Sequence, residues 1–192
     1  MIDIRAYMRE LVGKLKTVFE NRLLYVGLQG SYLRAEATEK SDIDVMVVID
    51  EMKPNDLKEY KKVLKEIGNY DKSCGFICGS KELLNWNPQE ICHLLNTTAD
   101  YYGTLEDFVP KYNRRDIADY IKLSTGNLYH MLCHRYVYDD IEKNKMKLPL
   151  IYKDIFYILQ NVYYLENGEF IQTKSKMEPI LCGSDRKMDA FK

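Results

Sequence analysis

The chain has 192 residues, 46% of them hydrophobic, and carries 28 Lys and Arg against 29 Asp and Glu. That length can bury the core of one domain or of two small ones. The net charge of −1 excludes a protein built to coat nucleic acid, so no long nucleic acid is expected as a partner. No run approaches the about 20 apolar residues of a membrane span, and the charged N-terminus does not resemble a signal peptide. No membrane partner is therefore expected. Five cysteines without disulfide-framework spacing favour a reducing, cytoplasmic location.

The first half of the chain predicts alternating helices and strands. Apolar residues at three- and four-residue steps predict a helix from Ile4 to near Asn21, with Asp3 as its cap. The further expected elements are strands at 23–29, 43–49 and 73–78, helices at 57–67 and 88–95, and a last sheet element at 97–103. This order is typical of an α/β unit around a small sheet.

The second half of the chain predicts helices only, and Pro110 marks the boundary. One long helix is expected to reach about Tyr138, a basic loop with Lys143, Lys145 and Lys147 follows, and a second long helix begins near Pro149. The expected domains are therefore 1–110 and a helical bundle at 111–192.

Residues 30–50 carry the main functional motif, GSYLRAEATEKSDIDVMVVID. Asp42 and Asp44 open a strand, and because side chains alternate between faces they point the same way. Two adjacent carboxylates repel each other and favour a cation, and hard oxygen ligands suit Mg²⁺ or Mn²⁺, the partners of nucleotide phosphates. Gly30 lets the backbone approach a phosphate, and Ser31 adds a hydroxyl and an amide donor.

Gly30-Ser31, a spacer, and then Ser41-Asp42-Ile43-Asp44 resembles the signature of the polymerase-β-like nucleotidyltransferase superfamily. The two-part layout is similar to kanamycin nucleotidyltransferase and related aminoglycoside-modifying enzymes. The resemblance implies an α+β fold, with a small mixed sheet flanked by helices and then a C-terminal helical bundle that binds the acceptor.

The implied activity is metal-dependent transfer of a nucleoside monophosphate from a nucleoside triphosphate, ATP above all, to a hydroxyl of a small molecule or a protein, with release of pyrophosphate. Asp42 and Asp44 would be catalytic and hold Mg²⁺ or Mn²⁺, while Gly30, Ser31 and Ser41 would bind the nucleotide. Lys174 follows a stretch that resembles one in the adenylyltransferases, where a lysine reaches phosphate; a helix start at Thr173 is the alternative. A homodimer is left open.

The chain departs from the family at two places. The superfamily usually carries a third carboxylate on the third strand, but here that strand reads Cys74-Gly75-Phe76-Ile77-Cys78. Asp71 is the nearest candidate for the third catalytic acid, with Glu82 and Glu90 next, and Glu142 and Glu166 are further candidates for the general base.

The second departure is Ala35, which stands where the family often has glycine, in Arg34-Ala35-Glu36-Ala37. Alanine is harmless there if the position is helical and disruptive if it needs a positive φ, and the sequence leaves this open. Because of the missing acid, the alternative function is a non-catalytic nucleotidyltransferase-fold protein, a binding or antitoxin-type module. His130 and His134 have a zinc-ligand spacing, but no further ligands accompany them, so a packed or exposed pair is favoured.

Overall fold

The computed structural model describes residues 2–184. The chain forms two compact units. The first contains the residues up to 87 together with 94–111, and the second contains 88–93 together with the residues from 112 onward. The short segment 88–93 therefore belongs with the helices that follow it and not with the sheet.

The chain contains eight helices and four strands within its described residues. The helices are α1 (Ile4–Phe19), α2 (Gly30–Leu33), α3 (Pro54–Glu66), α4 (Ser80–Leu84), α5 (Pro88–Asn96), α6 (Arg114–Tyr138), α7 (Ile141–Asn167) and α8 (Lys174–Ser184). The strands are β1 (Leu23–Leu28), β2 (Ile43–Ile49), β3 (Ser73–Gly79) and β4 (Ala99–Tyr102).

The four strands form one mixed sheet in the order β3-β2-β1-β4. β1 pairs antiparallel with both β2 and β4, and β2 pairs parallel with β3. A parallel pair needs a crossover connection, and α3 supplies it between β2 and β3. The predicted α+β fold, with a mixed sheet, flanking helices and a C-terminal helical part, is confirmed.

The core of the first unit lies between one face of the sheet and helices α1 and α3. Asp3 caps α1 as predicted, because its carboxylate accepts the amide hydrogens of Arg5 and Ala6 at 3.1 Å each. The apolar stripe of α1 is fully buried against alternate residues of β2, among them Val45 and Val47. This alternation leaves the intervening residues of β2, including Asp44, on the opposite face.

The second unit is built on α6 and α7, which pack against each other. The connection between them is only Asp139 and Asp140, so the predicted basic loop and the predicted helix start near Pro149 are wrong. Asp140 accepts the amide hydrogen of Lys143 at 2.8 Å and thereby begins α7 two turns before Pro149. The three lysines of the expected loop therefore lie on the first turns of a helix.

Two buried amides on α7 organise the rest of the second unit. Gln160 donates to the backbone oxygen of Ile171 at 2.6 Å, and Ile171 packs with Phe156 and with Met177 of α8. Asn161 lies 3.2 Å from the Nδ1 atom of His93, which explains why 88–93 belongs to this unit. Among the residues 2–184, no helix is both long and apolar enough to cross a lipid bilayer.

Candidate active site

Gly30 follows β1 after a single residue, Gln29, and lies against Asp44. The amide of Gln29 donates to the backbone oxygen of Asp44 at 2.8 Å, which fixes the two segments side by side. Gly30 has a φ of +70°, and a β-carbon there would overlap the Asp44 carboxylate. Only glycine satisfies both conditions, so the first residue of the Gly-Ser pair is dictated by the carboxylate beside it.

The two carboxylates of the motif differ in exposure. Asp42 precedes β2 and is exposed, whereas Asp44 is the second residue of β2 and is half-buried. Between them, Ile43 is fully buried on the opposite face of the sheet. The local sequence thus anchors the strand through its apolar residues and presents both carboxylates on the other side.

Cys74 occupies the position beside Asp44 on the third strand. The parallel register pairs Asp44 with Cys74, and the thiol is hydrogen-bonded to the carboxylate. Partial desolvation raises the pKa of Cys74, which is exposed at the residue level, and the hydrogen bond with Asp44 and the charges of Asp44 and Asp42 raise it further. The thiol is therefore held neutral, and it adds no negative charge to the pair.

Asp71, the predicted third acid, lies three residues before Cys74. It is exposed and sits in the single helical turn Tyr70–Lys72 that leads into β3. Its position in that turn, and not in the strand, leaves the strand position opposite Asp44 to the thiol.

Two polar side chains that the motif did not single out continue the row on the other side of Asp44. Gln29, the neighbour of Asp44 on the β1 side, donates through its side chain to the Thr98 hydroxyl at 2.8 Å. Thr98 in turn donates to the backbone oxygen of Leu94 at 2.7 Å. A polar row therefore crosses the sheet from Cys74 through Asp44 and Gln29 to Thr98. The sequence signal that could have identified Gln29 is its position directly before Gly30.

The hydroxyl of Ser41 is used inside its own loop. It accepts the amide hydrogen of Thr38 at 2.9 Å, while the Ser41 amide donates to the Thr38 oxygen at 3.1 Å. These two bonds close the turn that delivers the chain to Asp42. Ser31 lies within α2, directly after Gly30, and is half-buried.

The connection after Ser31 contains a left-handed alanine. Ala35 has a φ of 56° and follows the end of α2. The Glu36 amide donates to the Ser31 oxygen at 2.9 Å and the Ala35 amide to the Tyr32 oxygen at 3.4 Å, which is the bonding pattern of a Schellman cap. This position normally favours glycine, so the structure answers the question that the sequence left open.

Three further side chains have structural partners. Arg34 forms an ion pair with Glu36 at 2.9 Å, and its side chain is only 16% exposed. Tyr102 packs against the core cluster and lies under the Lys16 ammonium at 4.1 Å. In the second unit, the ammonium of Lys174 lies 6.0 Å from the centre of the Phe156 ring.

Asp42 and Asp44 fit a hard divalent cation in donor type and in number. Mg²⁺ is commonly bound through one or two carboxylates, with substrate phosphates and water completing its coordination. The described residues contain no group of three or more His, Cys, Asp and Glu side chains that could form a complete protein cage. The two carboxylates, with Gly30 beside them, are the protein's part of such a site.

A family model described as a nucleotidyltransferase domain matches residues 8–124 of the chain. This range spans more than half of the 192 residues and includes the whole sheet with Gly30, Asp42 and Asp44. The chain therefore belongs to the nucleotidyltransferase domain family, and the predicted nucleotidyltransferase enzyme class is confirmed.

The chain is similar to two proteins of Methanocaldococcus jannaschii that carry the name "Putative protein adenylyltransferase". The first is 33% identical over 69 residues, which span 36% of this chain and 68% of the relative. The second is 35% identical over 60 residues, which span 30% of this chain and 60% of the relative.

The structure is also similar to a crystal structure of spectinomycin adenyltransferase AAD(9) from Enterococcus faecialis, determined with ATP and spectinomycin. The TM-score is 0.59 at 16% identity, and the match covers 94% of this chain and 83% of that one. At this identity the likeness shows a common fold.

Proposed function

We propose that this protein transfers the adenylyl group of ATP to a hydroxyl group, with Asp42 and Asp44 holding Mg²⁺ or Mn²⁺. The observation that carries this proposal is the contact of Gly30 with Asp44. It brings a backbone that is open to phosphate directly beside a carboxylate pair that suits a cation. ATP as donor is supported by the names of the two archaeal relatives.

In the proposed reaction, the acceptor oxygen forms a bond to the α-phosphorus as the bond from that phosphorus to the bridging oxygen breaks. Pyrophosphate leaves with the electron pair, and the hydroxyl proton passes to a base. Gly30 and Ser31 bind the β- and γ-phosphates through backbone amides and the serine hydroxyl. Bound Mg²⁺ would neutralise phosphate charge in the transition state. We propose Asp71 as the base, because it is the nearest acid that precedes β3.

Ser41 and Lys174 are the remaining residues with a proposed role. Ser41 would act through the loop that it closes before Asp42, since its hydroxyl is engaged there. Lys174 begins α8, and its ammonium is placed against an aromatic ring. Nucleotide binding by Lys174 stays a proposal that rests on the resemblance to the adenylyltransferases.

We propose a protein hydroxyl as the acceptor, because both curated relatives are named for protein adenylylation. A small-molecule acceptor of the aminoglycoside type is the other candidate. In its favour, the second unit contains a cavity of about 250 Å³. Tyr120, Asp154 and Tyr157 line it and offer phenol groups and a carboxylate. Such a lining suits a hydroxyl-rich or cationic ring, and we propose residues 111–192 as the acceptor-binding domain on this basis.

The test measures the transfer of ³²P from each α-³²P-labelled nucleoside triphosphate to an acceptor in the presence of Mg²⁺ or Mn²⁺. The acceptors are the protein itself, a protein lysate and a panel of aminoglycosides. Asp44→Asn should abolish transfer while the protein stays folded, because the substitution removes one charge of a repulsive pair. Asp107→Asn, a change at an exposed carboxylate in the same unit, should leave transfer unchanged. Equal rates for the Asp44 variant and the wild type would refute the metal-site assignment.

The second candidate function is a non-catalytic nucleotide-binding module of the antitoxin type. Cys74 favours it, because a neutral thiol stands beside Asp44 where the family's third carboxylate is expected. This alternative predicts that ATP binds, as measured by calorimetry, and that no acceptor becomes labelled under any metal condition.

A further inference from the structure

The α6–α7 hairpin exposes large apolar side chains around its connection. We define the hairpin stripes as Tyr129, Leu132 and Tyr136 on α6, with Ile141, Leu148 and Tyr152 on α7. Their side chains are exposed by 39% to 88%, with Tyr136 the most exposed. A helix in a globular protein normally buries such residues and exposes polar ones.

The spacing within each stripe is that of a helix-packing seam. On α6 the three residues are separated by three and four positions, and on α7 by seven and four. Such steps place the members of a stripe on one side of their own helix. Each helix therefore presents apolar residues along one side, in addition to the side that it turns towards its partner in the hairpin.

The exposed area is of the size that a stable interface requires. A tyrosine side chain buries on the order of 200 Å², so the three stripe tyrosines alone expose about 400 Å² per chain. A specific interface takes roughly 800 Å² from each partner. The stripe aliphatics Leu132, Ile141 and Leu148, exposed by 39%, 73% and 42%, supply part of the remainder.

The charges of the hairpin end do not oppose association with an identical surface. Residues 129–152 carry four basic and three acidic side chains, a net charge of +1. Lys143 pairs with Asp140 at 3.5 Å and Lys145 with Glu142 at 2.9 Å, each within α7. A nearly neutral surface lacks the field that would select nucleic acid or an anionic membrane, and it repels a copy of itself only weakly.

From these observations we infer that the hairpin stripes form an isologous contact with the same stripes of a second copy of this chain. An apolar surface of low net charge is self-complementary, and a twofold axis is the commonest way to bury such a surface in an identical partner. Residues 185–192 are less suited than a second copy to cover the hairpin stripes, since five of these eight residues are charged.

The test is the molar mass of the full chain in solution, measured by analytical ultracentrifugation over a range of concentrations. The wild type is expected to form a dimer. Tyr136→Lys, which places a charge in the stripe, is expected to weaken dimerisation by at least about 30-fold, as expected for a central interface tyrosine. Tyr138→Lys is the matched control, because Tyr138 is 74% exposed on the same helix but lies outside the stripe.

Far-UV circular dichroism shows that each variant keeps its helices, which separates dissociation from unfolding. A Tyr138 variant that stays dimeric beside a monomeric Tyr136 variant supports the inference. A wild type that is still monomeric at a protein concentration 100-fold above the lowest one measured overturns the inference. Equal dimerisation of both variants, or binding of the wild-type monomer to anionic vesicles in place of self-association, overturns it as well.

Discussion

Replacing Ala35 with glycine is expected to stabilise the first unit. Ala35 has a φ of 56° and an exposed side chain, so the change relieves backbone strain without emptying packed space. The left-handed conformation costs a residue with a β-carbon about 1–2 kcal/mol. Glycine reduces this gain in stability by about 0.5–1 kcal/mol, because it increases the conformational freedom of the unfolded chain.

The net increase in the free energy of unfolding is therefore about 0.75 kcal/mol, the middle of a range of about 0–1.5 kcal/mol. For a chain of this length, 1 kcal/mol corresponds to about 2–4 °C in melting temperature. The assay is urea unfolding followed by tryptophan fluorescence. Trp86, the single tryptophan, stacks on Phe76 at 5.9 Å and reports the first unit. The midpoint should rise at unchanged slope.

Ala37→Gly is the matched control. Ala37 packs against the core cluster, and its φ is not positive, so glycine there loses a contact and gains freedom in the unfolded chain. The expected loss is at least about 0.5–1 kcal/mol. If Ala35→Gly lowers the midpoint as Ala37→Gly does, residue 35 is not left-handed, and the account of the Schellman cap is wrong.

Three further predictions follow from particular contacts. The pKa of Asp56 is lowered because Arg22 donates two hydrogen bonds to it, at 2.9 and 2.8 Å. The stability that this pair contributes is therefore complete above the ordinary pKa of 3.8, and it is lost as the pH falls through the lower pKa of the folded protein. Asp56→Asn should therefore lower stability at pH 7 and flatten its decline in acid unfolding curves, whereas an unchanged pH profile would contradict this reading. Pro149→Ala should stabilise α7 by up to about 3 kcal/mol in calorimetry, because proline inside a helix removes a hydrogen bond. Pro88→Ala is the control and should not stabilise the protein, because Pro88 is at the first position of α5. If Pro149→Ala lowers the stability instead, the helix start expected at Pro149 from the sequence is correct. Cys74→Asp should raise the rate of adenylyl transfer, by up to about 10²-fold if the new carboxylate completes the site. Cys74→Ser, the control, should leave the rate unchanged. Equal rates for the two variants would show that the missing third acid does not limit the reaction.

The local features of the site were readable in the sequence because they depend on short spacing. The alternation of Asp42, Ile43 and Asp44 fixes which side chains share a face, whatever the strand packs against. The resemblance of the motif to the nucleotidyltransferase signature implied the α+β fold, which the structure and the family match confirm. The catalytic roles of the two carboxylates and the boundary near Pro110 stay predictions.

The helix boundaries in the second half show where local patterns were insufficient. The run from Ile141 to Leu148 is rich in lysine, and Pro149 resembles a helix start, so the sequence favoured a loop. In the structure, the cap at Asp140 and the short connection keep the chain helical through the proline. Packing of the long helices outweighs the local preference of a single residue.

The sequence by itself determined the motif, the faces of its strand and the chemistry that a carboxylate pair beside Gly30 can support. Only the tertiary structure decided that Cys74 stands opposite Asp44, that Gln29 and Thr98 continue the polar row, and that Ala35 is left-handed. The physical reason is that strand register and chain reversal are set by contacts between residues distant in sequence. A one-residue shift of β3 would replace the thiol beside Asp44 with a neighbour from the other face of the strand.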